Sequence, residues 1–369
     1  MIIILTQCYP PRVGGIENLV FNLSYYLSKN EKVVVLADQH NFLAETIFDK
    51  KFKKNLIIKR FGGLKYFRKR KKFKELENII AFNVVKAIIS DSWKSIEYPI
   101  NKIRNKKIPV ICLAHGNEII AKNNTHKKRV VNVLALADKI ICNSNFTLKL
   151  LQKLNSNLYK AKVIFPGVSN FDTINQEKVE IVFGQPVLLT LARLEKRKGH
   201  SEILKAVSNL KKDYPKLLYI IAGEGDEKIN LKKLCKELQI EENVKFIGSV
   251  NESQKKYIFN KTDLMVMPTI DESHNNSVEG FGIAYIEAAL FGIPSIASNV
   301  GGTAEAVIHN KTGIILENTS ELSNVLKDLI DDKGKRYMLG KNAKVRAQTE
   351  LDWEYQIETY ISTINSLNK

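Results

Sequence analysis

A repeated alternation constrains this chain more than any other feature. A short apolar run gives way to a polar or glycine-bearing turn, then to an amphipathic stretch, and the cycle recurs along most of the 369 residues. In the first half, 1–6, 32–37, 56–61, 84–90, 109–114, 139–142 and 161–165 read as strands. The stretches 16–28, 74–80, 127–135 and 145–154 read as helices. In the second half, strands read at 187–192, 217–222, 244–248, 264–267, 295–298 and 313–316, and helices at 201–210, 228–238, 252–260, 282–291 and 321–330. The strand runs are near-continuously apolar, as strands covered on both faces are. Strands alternating with helices predict parallel sheets with helices on each side. Two such series predict an α/β chain of two doubly wound, Rossmann-like domains. Between them, 166–185 carries Gly167, Asn170, Asp172, Asn175 and Gly184 without a helical pattern, so the linker belongs there. The expected division is 1–168 and 169–351. The aromatic tail 353–367 is helical in period, and 352–369 is expected to return to the first domain. Ligands of such folds sit beyond the carboxyl ends of the strands, and two facing domains would place both edges around one cleft.

Composition narrows the function classes. Hydrophobic residues make up 44% of the chain and charged residues 26%, which fits a globular protein and excludes extensive disorder. No apolar run reaches the roughly 18 residues that span a bilayer. The opening run Ile2–Leu5 is too short for an export signal, so the cytoplasm is the expected compartment. Cys8, Cys112, Cys142 and Cys235 lack metal-ligand spacing and read as buried thiols; no metal is expected. Lys and Arg number 57 against 39 Asp and Glu, a net charge of +18. That field favours anionic partners. Its densest part, Lys65 to Lys74 (KYFRKRKKFK), mixes aromatics with cations, as segments at an anionic membrane surface do. A solvated basic face is the alternative, and nucleic acid is the least favoured partner.

Four motifs follow strands. Gly14 and Gly15, after Tyr9–Val13 and before a helix, would permit positive φ and bring backbone N–H groups to a phosphate, or simply close a tight turn. His115, in HGNE, could donate to a sugar hydroxyl or be a plain buried histidine. The run RLEKRKGH places Arg193 and Lys198 where they could bind phosphate oxygens; a solvated turn is the alternative. The richest is VEGFGIAYIEAA. Gly280 and Gly282 flank Phe281 at a helix start, so the N–H groups of Phe281, Gly282 and Ile283 would face an anion. Glu279 could accept from sugar hydroxyls, and Glu287 could hold a ribose. Burial would oblige Glu287 to find a partner, and a structural salt bridge is its bland reading.

The spacing Glu279-x7-Glu287 within EGFGIAYIEAALFGIPSIASNVGGTAEAV resembles that of the retaining glycosyltransferases of family 4, which have the two-domain GT-B fold. YPPRVGG, HGNE, CNSNFT, ARLEKRKG, IAGEGD and VKFIGSV fall in that family's order, and MPTIDESHNNSVEGFGI is similar to the bacterial phosphatidylinositol mannosyltransferase subgroup. The resemblance implies a nucleotide-sugar donor, GDP-mannose or a UDP-sugar, and a lipid-linked or saccharide acceptor. It implies that Arg193 and Lys198 hold the donor pyrophosphate and Glu287 the ribose. Glu279 and the backbone of Gly280 to Ile283 would hold the sugar. Gly15, with Gly14, would approach the phosphates, and His115 would touch the sugar near the reacting carbon. The base would rest near Gly248 and Val250, and no metal would be needed. A peripheral place on the inner face of the plasma membrane, in cell-envelope synthesis, follows as an expectation. A nucleotide-sugar epimerase on the same fold and a non-catalytic membrane-binding protein are the competing readings. The polar insert Asp271 to Ser277 has no assigned role.

Overall fold

The computed structural model describes residues 1–52, 54–155, 160–182 and 184–368; Phe183 of the expected linker lies outside the described residues. The chain forms two compact units. One holds residues 1–167 and 353–369, the other residues 168–352.

In the first unit, β1 (Ile2–Thr6), β2 (Val33–Asp38), β3 (Leu56–Phe61), β4 (Ala87–Ser90), β5 (Val110–Ala114), β6 (Lys139–Cys142) and β7 (Ala161–Val163) form one sheet among the described residues. Its order is β3-β2-β1-β4-β5-β6-β7, with every pair parallel. The helices are α1 (Gly15–Ser28), α2 (Phe42–Asp49), α3 (Lys65–Phe82), the one-turn α4 (Trp93–Ile96) and α5 (Ile100–Ile103), α6 (Asn124–Leu136) and α7 (Asn145–Leu154). β1, β2, β4 and β5 are buried throughout, which is why they read as unbroken apolar runs.

In the second unit, β8 (Val187–Leu191), β9 (Leu218–Ala222), β10 (Val244–Gly248), β11 (Leu264–Met267), β12 (Ser295–Ser298) and β13 (Gly313–Leu316) form a parallel sheet of order β10-β9-β8-β11-β12-β13. It carries α8 (His200–Leu210), α9 (Lys228–Glu237), α10 (Glu252–Phe259), α11 (Ile283–Leu290), the one-turn α12 (Thr303–Ala306), α13 (Leu322–Asp331) and α14 (Lys333–Thr349). The last helix, α15 (Trp353–Ser366), belongs to the first unit. Trp353 stacks on Tyr26 of α1 with ring centroids 6.0 Å apart, and its indole lies so close to Gly167 that a β-carbon there would come within 2.6 Å.

Three expectations need correction. The helix expected over 74–80 is longer at both ends: α3 runs from Lys65 to Phe82, so the run Lys65 to Lys74 lies within its first half. Gly14 and Gly15 do not adopt positive φ; Gly14 is extended at φ 168°. Its lack of a side chain matters for space, since a β-carbon would sit 2.2 Å from Glu17 Oε2, whose carboxylate pairs with Arg12 at 3.0 Å. Cys8 is only partly buried, unlike Cys112, Cys142 and Cys235. Burial pushes the Cys8 and Cys142 thiols up to about 12 and Cys235 to about 11, so these are poor nucleophiles at neutral pH.

Candidate active site

In the second unit the strand order reverses between β8 and β11. Such a switch point opens a crevice beyond the strands' carboxyl ends, and both predicted acidic and basic motifs converge there. The chain leaves β8 through Arg193 to Glu195, makes a single 3-10 turn over Lys196–Lys198, and enters α8 through Gly199. Gly199 has φ +72°, and a β-carbon there would lie 2.1 Å from the Pro268 carbonyl oxygen, so glycine alone lets this turn press against the end of β11. The entry to α8 is fixed by a buried chain in which Thr190 Oγ1 lies 2.9 Å from the Tyr219 hydroxyl and His200 Nδ1 3.0 Å from the same hydroxyl. Burial pushes His200 down to about 4, which keeps it neutral.

Beyond β11, the insert Asp271 to Ser277 folds into a turn closed by a bridge between Glu272 and Ser277. Asp271 Oδ1 accepts from the Ser273 N–H at 2.9 Å. Glu279 follows, then Gly280 and the buried Phe281, and Gly282 caps α11 at φ +98°. The expected helix start thus falls one residue later, at Ile283. Tyr285 donates to the Met267 carbonyl at 2.5 Å and ties α11 to the end of β11. A loop the sequence reading did not single out holds the other side. The Gly302 N–H donates to the Glu279 carbonyl at 2.9 Å, and a β-carbon on Gly302 would meet the Gly280 oxygen at 2.1 Å.

The charged groups form one continuous chain. Arg193 Nη1 lies 2.9 Å from Glu195 Oε1, and Arg197 Nε donates to Glu195 Oε2 at 2.9 Å. Arg197 Nη1 and Lys198 Nζ both donate to Glu279 Oε2 at 2.5 Å. Lys198 and Glu279, expected to share a site, are therefore in direct contact. Arg197 is the residue the sequence reading passed over. It stood in the same cationic run but carries no feature that separates it from Lys196; its burial does, and only the fold reveals that. Burial raises the Glu279 carboxyl, but Lys198 and Arg197 outweigh it and hold the group below its ordinary range. Burial lowers Lys198, and Glu279 offsets part of that. Three cations on two carboxylates leave a positive excess at the crevice. Arg193 is its accessible end, with 65% of its side chain exposed.

Glu287, one turn into α11, is buried and receives Lys255 Nζ of α10 at 2.8 Å. Lys255 also pairs with Glu252 at 2.7 Å. Burial lowers Lys255, but Glu287 and Glu252 prevail and raise it well above the ordinary lysine range. The partner that burial of Glu287 demanded is thus Lys255, another residue the sequence reading did not reach. At the end of β10, Gly248 has φ +72° and its carbonyl accepts from the Gly223 N–H at 2.7 Å. Gly248 and Val250 are half-buried there.

In the first unit, His115 follows β5 and is buried. Its Nε2 lies 2.7 Å from the Asp91 carbonyl oxygen. A carbonyl only accepts, so Nε2 is the donor in that bond. Nε2 is thus already engaged, and the expected contact with a sugar is left to Nδ1. Glu118 Oε1 accepts from the His115 N–H at 2.6 Å and fixes the turn. Gly14 and Gly15 stand at the start of α1, after β1. Among the described residues, no group of three or more His, Cys, Asp or Glu is placed to hold a metal ion.

Residues 171–346 match the family model described as glycosyl transferases group 1, and residues 13–170 match glycosyltransferase family 4. Together the two models span both units in the order the motifs follow. The chain belongs to the family 4-like glycosyltransferases. Among its relatives, a GDP-mannose-dependent monoacylated alpha-(1-6)-phosphatidylinositol monomannoside mannosyltransferase of Corynebacterium glutamicum is 28% identical over 203 residues, 54% of this chain and 52% of that protein. A glycogen synthase of Mycobacterium tuberculosis is 28% identical over 173 residues, 46% of this chain and 40% of that protein. The matches thus span about half the length of the curated relatives, or less. Among solved structures, Anabaena Alr3699/HepE in complex with UDP-glucose superposes with a TM-score of 0.80 at 19% identity over 99% of each chain. This likeness shows the fold, GT-B.

Proposed function

We propose that this glycosyltransferase moves a hexose, with retention, from a nucleotide sugar to a lipid-linked or glycan acceptor. The observation that carries the proposal is the buried convergence of Arg197 and Lys198 on Glu279 at the switch point, with Arg193 at its open end. A donor pyrophosphate matches that positive excess. Lys198 and Arg193 bind its oxygens, aided by the N-terminal N–H groups of α11. Glu279 and the Gly280 to Ile283 backbone hold the sugar, Glu287 the ribose, and the turn at Gly248 and Val250 the base. The family resemblance adds Gly15, Gly14 and His115 to the donor contacts, His115 through Nδ1. No metal is required in this scheme, because fixed cations supply the charge a metal would. The C1–O bond to the pyrophosphate breaks, C1 bonds to the acceptor oxygen, and the departing phosphate takes the acceptor's proton. Charge grows on that phosphate in the transition state, where preorganised cations act most strongly. The second unit is the donor domain and the first the acceptor domain.

The named relatives favour GDP-mannose or a UDP-sugar as donor. A thermal-shift series across GDP-mannose, UDP-glucose, UDP-galactose and their free sugars tests the reading, since a ligand of the native state raises its stability. One nucleotide sugar should raise the melting temperature and release nucleoside diphosphate slowly; accumulation of an epimerised nucleotide sugar would overturn transfer.

Peripheral attachment to the inner face of the plasma membrane, and a part in cell-envelope glycan synthesis, belong to the same proposal. No described helix is long and apolar enough to cross a membrane. The start of α3 exposes Leu64, Tyr66 and Phe67 at 75%, 61% and 57% beside its lysines and arginines, a composition suited to an anionic lipid surface. The protein should sediment with anionic liposomes at low salt and be released at high salt. Sedimentation unaffected by lipid charge would remove the idea.

A further inference from the structure

The first unit has its own switch point, between β1 and β4, where the strand order reverses. A small open cleft lies there. Its lining begins just past the strand ends, at Gln7 after β1, Asp38 at the end of β2 and Lys94 after β4. Leu5, Phe73 and Leu76 give it an apolar floor.

Five cations line this cleft, Lys65, Arg68, Lys69, Lys72 and Lys94, against one carboxylate, Asp38. The first four recur at i, i+3, i+4 and i+7 along α3, so they share one helix face. The fifth comes from a different element, which a merely solvated helix face would not require. Asp38 is fully engaged by two of them, Lys72 at 2.5 Å and Arg68 at 3.0 Å. Lys72 also donates to the Thr6 carbonyl at 2.8 Å, so these two cations are fixed in place. Lys69 reaches a carboxylate only at 3.9 Å, at Glu97, and Arg129 already grips Glu97 with bonds of 2.8 and 3.0 Å. Lys94 lies 5.8 Å from the Trp93 ring centre. The balance leaves the cleft strongly positive over an apolar floor, at the place where this fold class binds ligands.

We propose that this cleft binds a phosphate group carried by the sugar acceptor. Arg68 and Lys72 form a fixed base, and Lys69 and Lys94 close on the phosphate oxygens as point charges. The inference rests on the transferase reading and names its acceptor class: a phosphate ester, either a soluble one or the headgroup of a lipid.

The test uses the full chain saturated with whichever of GDP or UDP it binds, so that the second unit's phosphate site is occupied. Glycerol 3-phosphate is titrated by calorimetry, and phosphatidylcholine vesicles doped with phosphatidic acid are pelleted in parallel. Binding of either probe, weakened about tenfold by Lys69→Ala with Lys94→Ala, is the expected result. Response to glycerol 3-phosphate marks a soluble acceptor phosphate, and response to vesicles alone a lipid one. The control pair Lys149→Ala with Lys153→Ala removes equal charge from α7 and should leave binding at the wild-type level. Binding of neither probe, or equal weakening by both pairs, would overturn the proposal. Nucleoside diphosphate affinity is measured first in each sample and should be unchanged in all variants; its absence in the wild type would count against the donor reading instead.

Discussion

Replacing Lys198 by methionine should lower kcat for sugar transfer by roughly 10²–10³-fold while the protein stays folded. Lys198 and Arg197 both donate to Glu279 Oε2. Methionine keeps most of the side-chain volume, and Arg197 still pairs the carboxylate, so no buried charge is stranded. On the proposed reading, what disappears is a fixed cation beside the departing phosphate, where charge peaks in the transition state. Arg193→Ala should cost less, because its guanidinium is largely exposed and pairs with the part-exposed Glu195, where solvent screens the charge. Steady-state kinetics beside urea denaturation separates the two effects. An unchanged kcat in Lys198→Met would remove that lysine from the chemistry.

The second large effect is on stability. Lys255→Met should destabilise the protein by about 3–5 kcal/mol, because it leaves the buried carboxylate of Glu287 without its lysine. Lys255 is buried between α10 and α11 and pairs with Glu287 at 2.8 Å. Glu252, its other partner, is half exposed, so Glu252→Ala should cost only about 0–1 kcal/mol. Adding Glu287→Leu to Lys255→Met should restore much of the loss, since a well-packed apolar pair can replace a buried ion pair. That double variant should also lose donor affinity if Glu287 holds the ribose. Chemical denaturation of the three variants checks the stability ordering; equal stability of Lys255→Met and wild type would contradict it.

How much of this was legible beforehand follows from burial. Strands covered on both faces leave a continuous apolar signature, and β11, β12 and β13, buried throughout, begin and end where the runs do. The helix α7 was exact in extent because Ser144 stands at its start as a cap, accepting from the Thr147 N–H at 3.0 Å. α2 and α14 left no readable stripe. α2 is short and buries a glutamate, Glu45, against Arg60 at 3.3 Å. α14 is rich in lysine and carries Gly334 and Gly340, and the second is a contact point: a β-carbon there would meet the Gly292 oxygen at 2.0 Å. The first half of α3 hid behind its cations, since its buried positions begin only at Lys72.

At the site, the motifs located Glu279, Lys198 and Glu287, because glycine-rich turns and isolated carboxylates in apolar helices are conspicuous. Their partners Arg197 and Lys255 were not conspicuous. Neither stands out from the cations around it in sequence, and burial opposite a carboxylate is what distinguishes each of them.

The most direct test of the phosphate site is a comparison of nucleoside with nucleoside diphosphate, uridine against UDP and guanosine against GDP, by titration calorimetry on wild type and Lys198→Met. The diphosphate of the preferred base should bind the wild type at least about a hundredfold more tightly than its nucleoside, a difference near 2.7 kcal/mol, and most of that gap should close in the variant. Equal affinity for nucleoside and diphosphate in the wild type, or a gap untouched by loss of Lys198, would contradict the assignment of the Arg193 to Glu279 network as the donor's phosphate site.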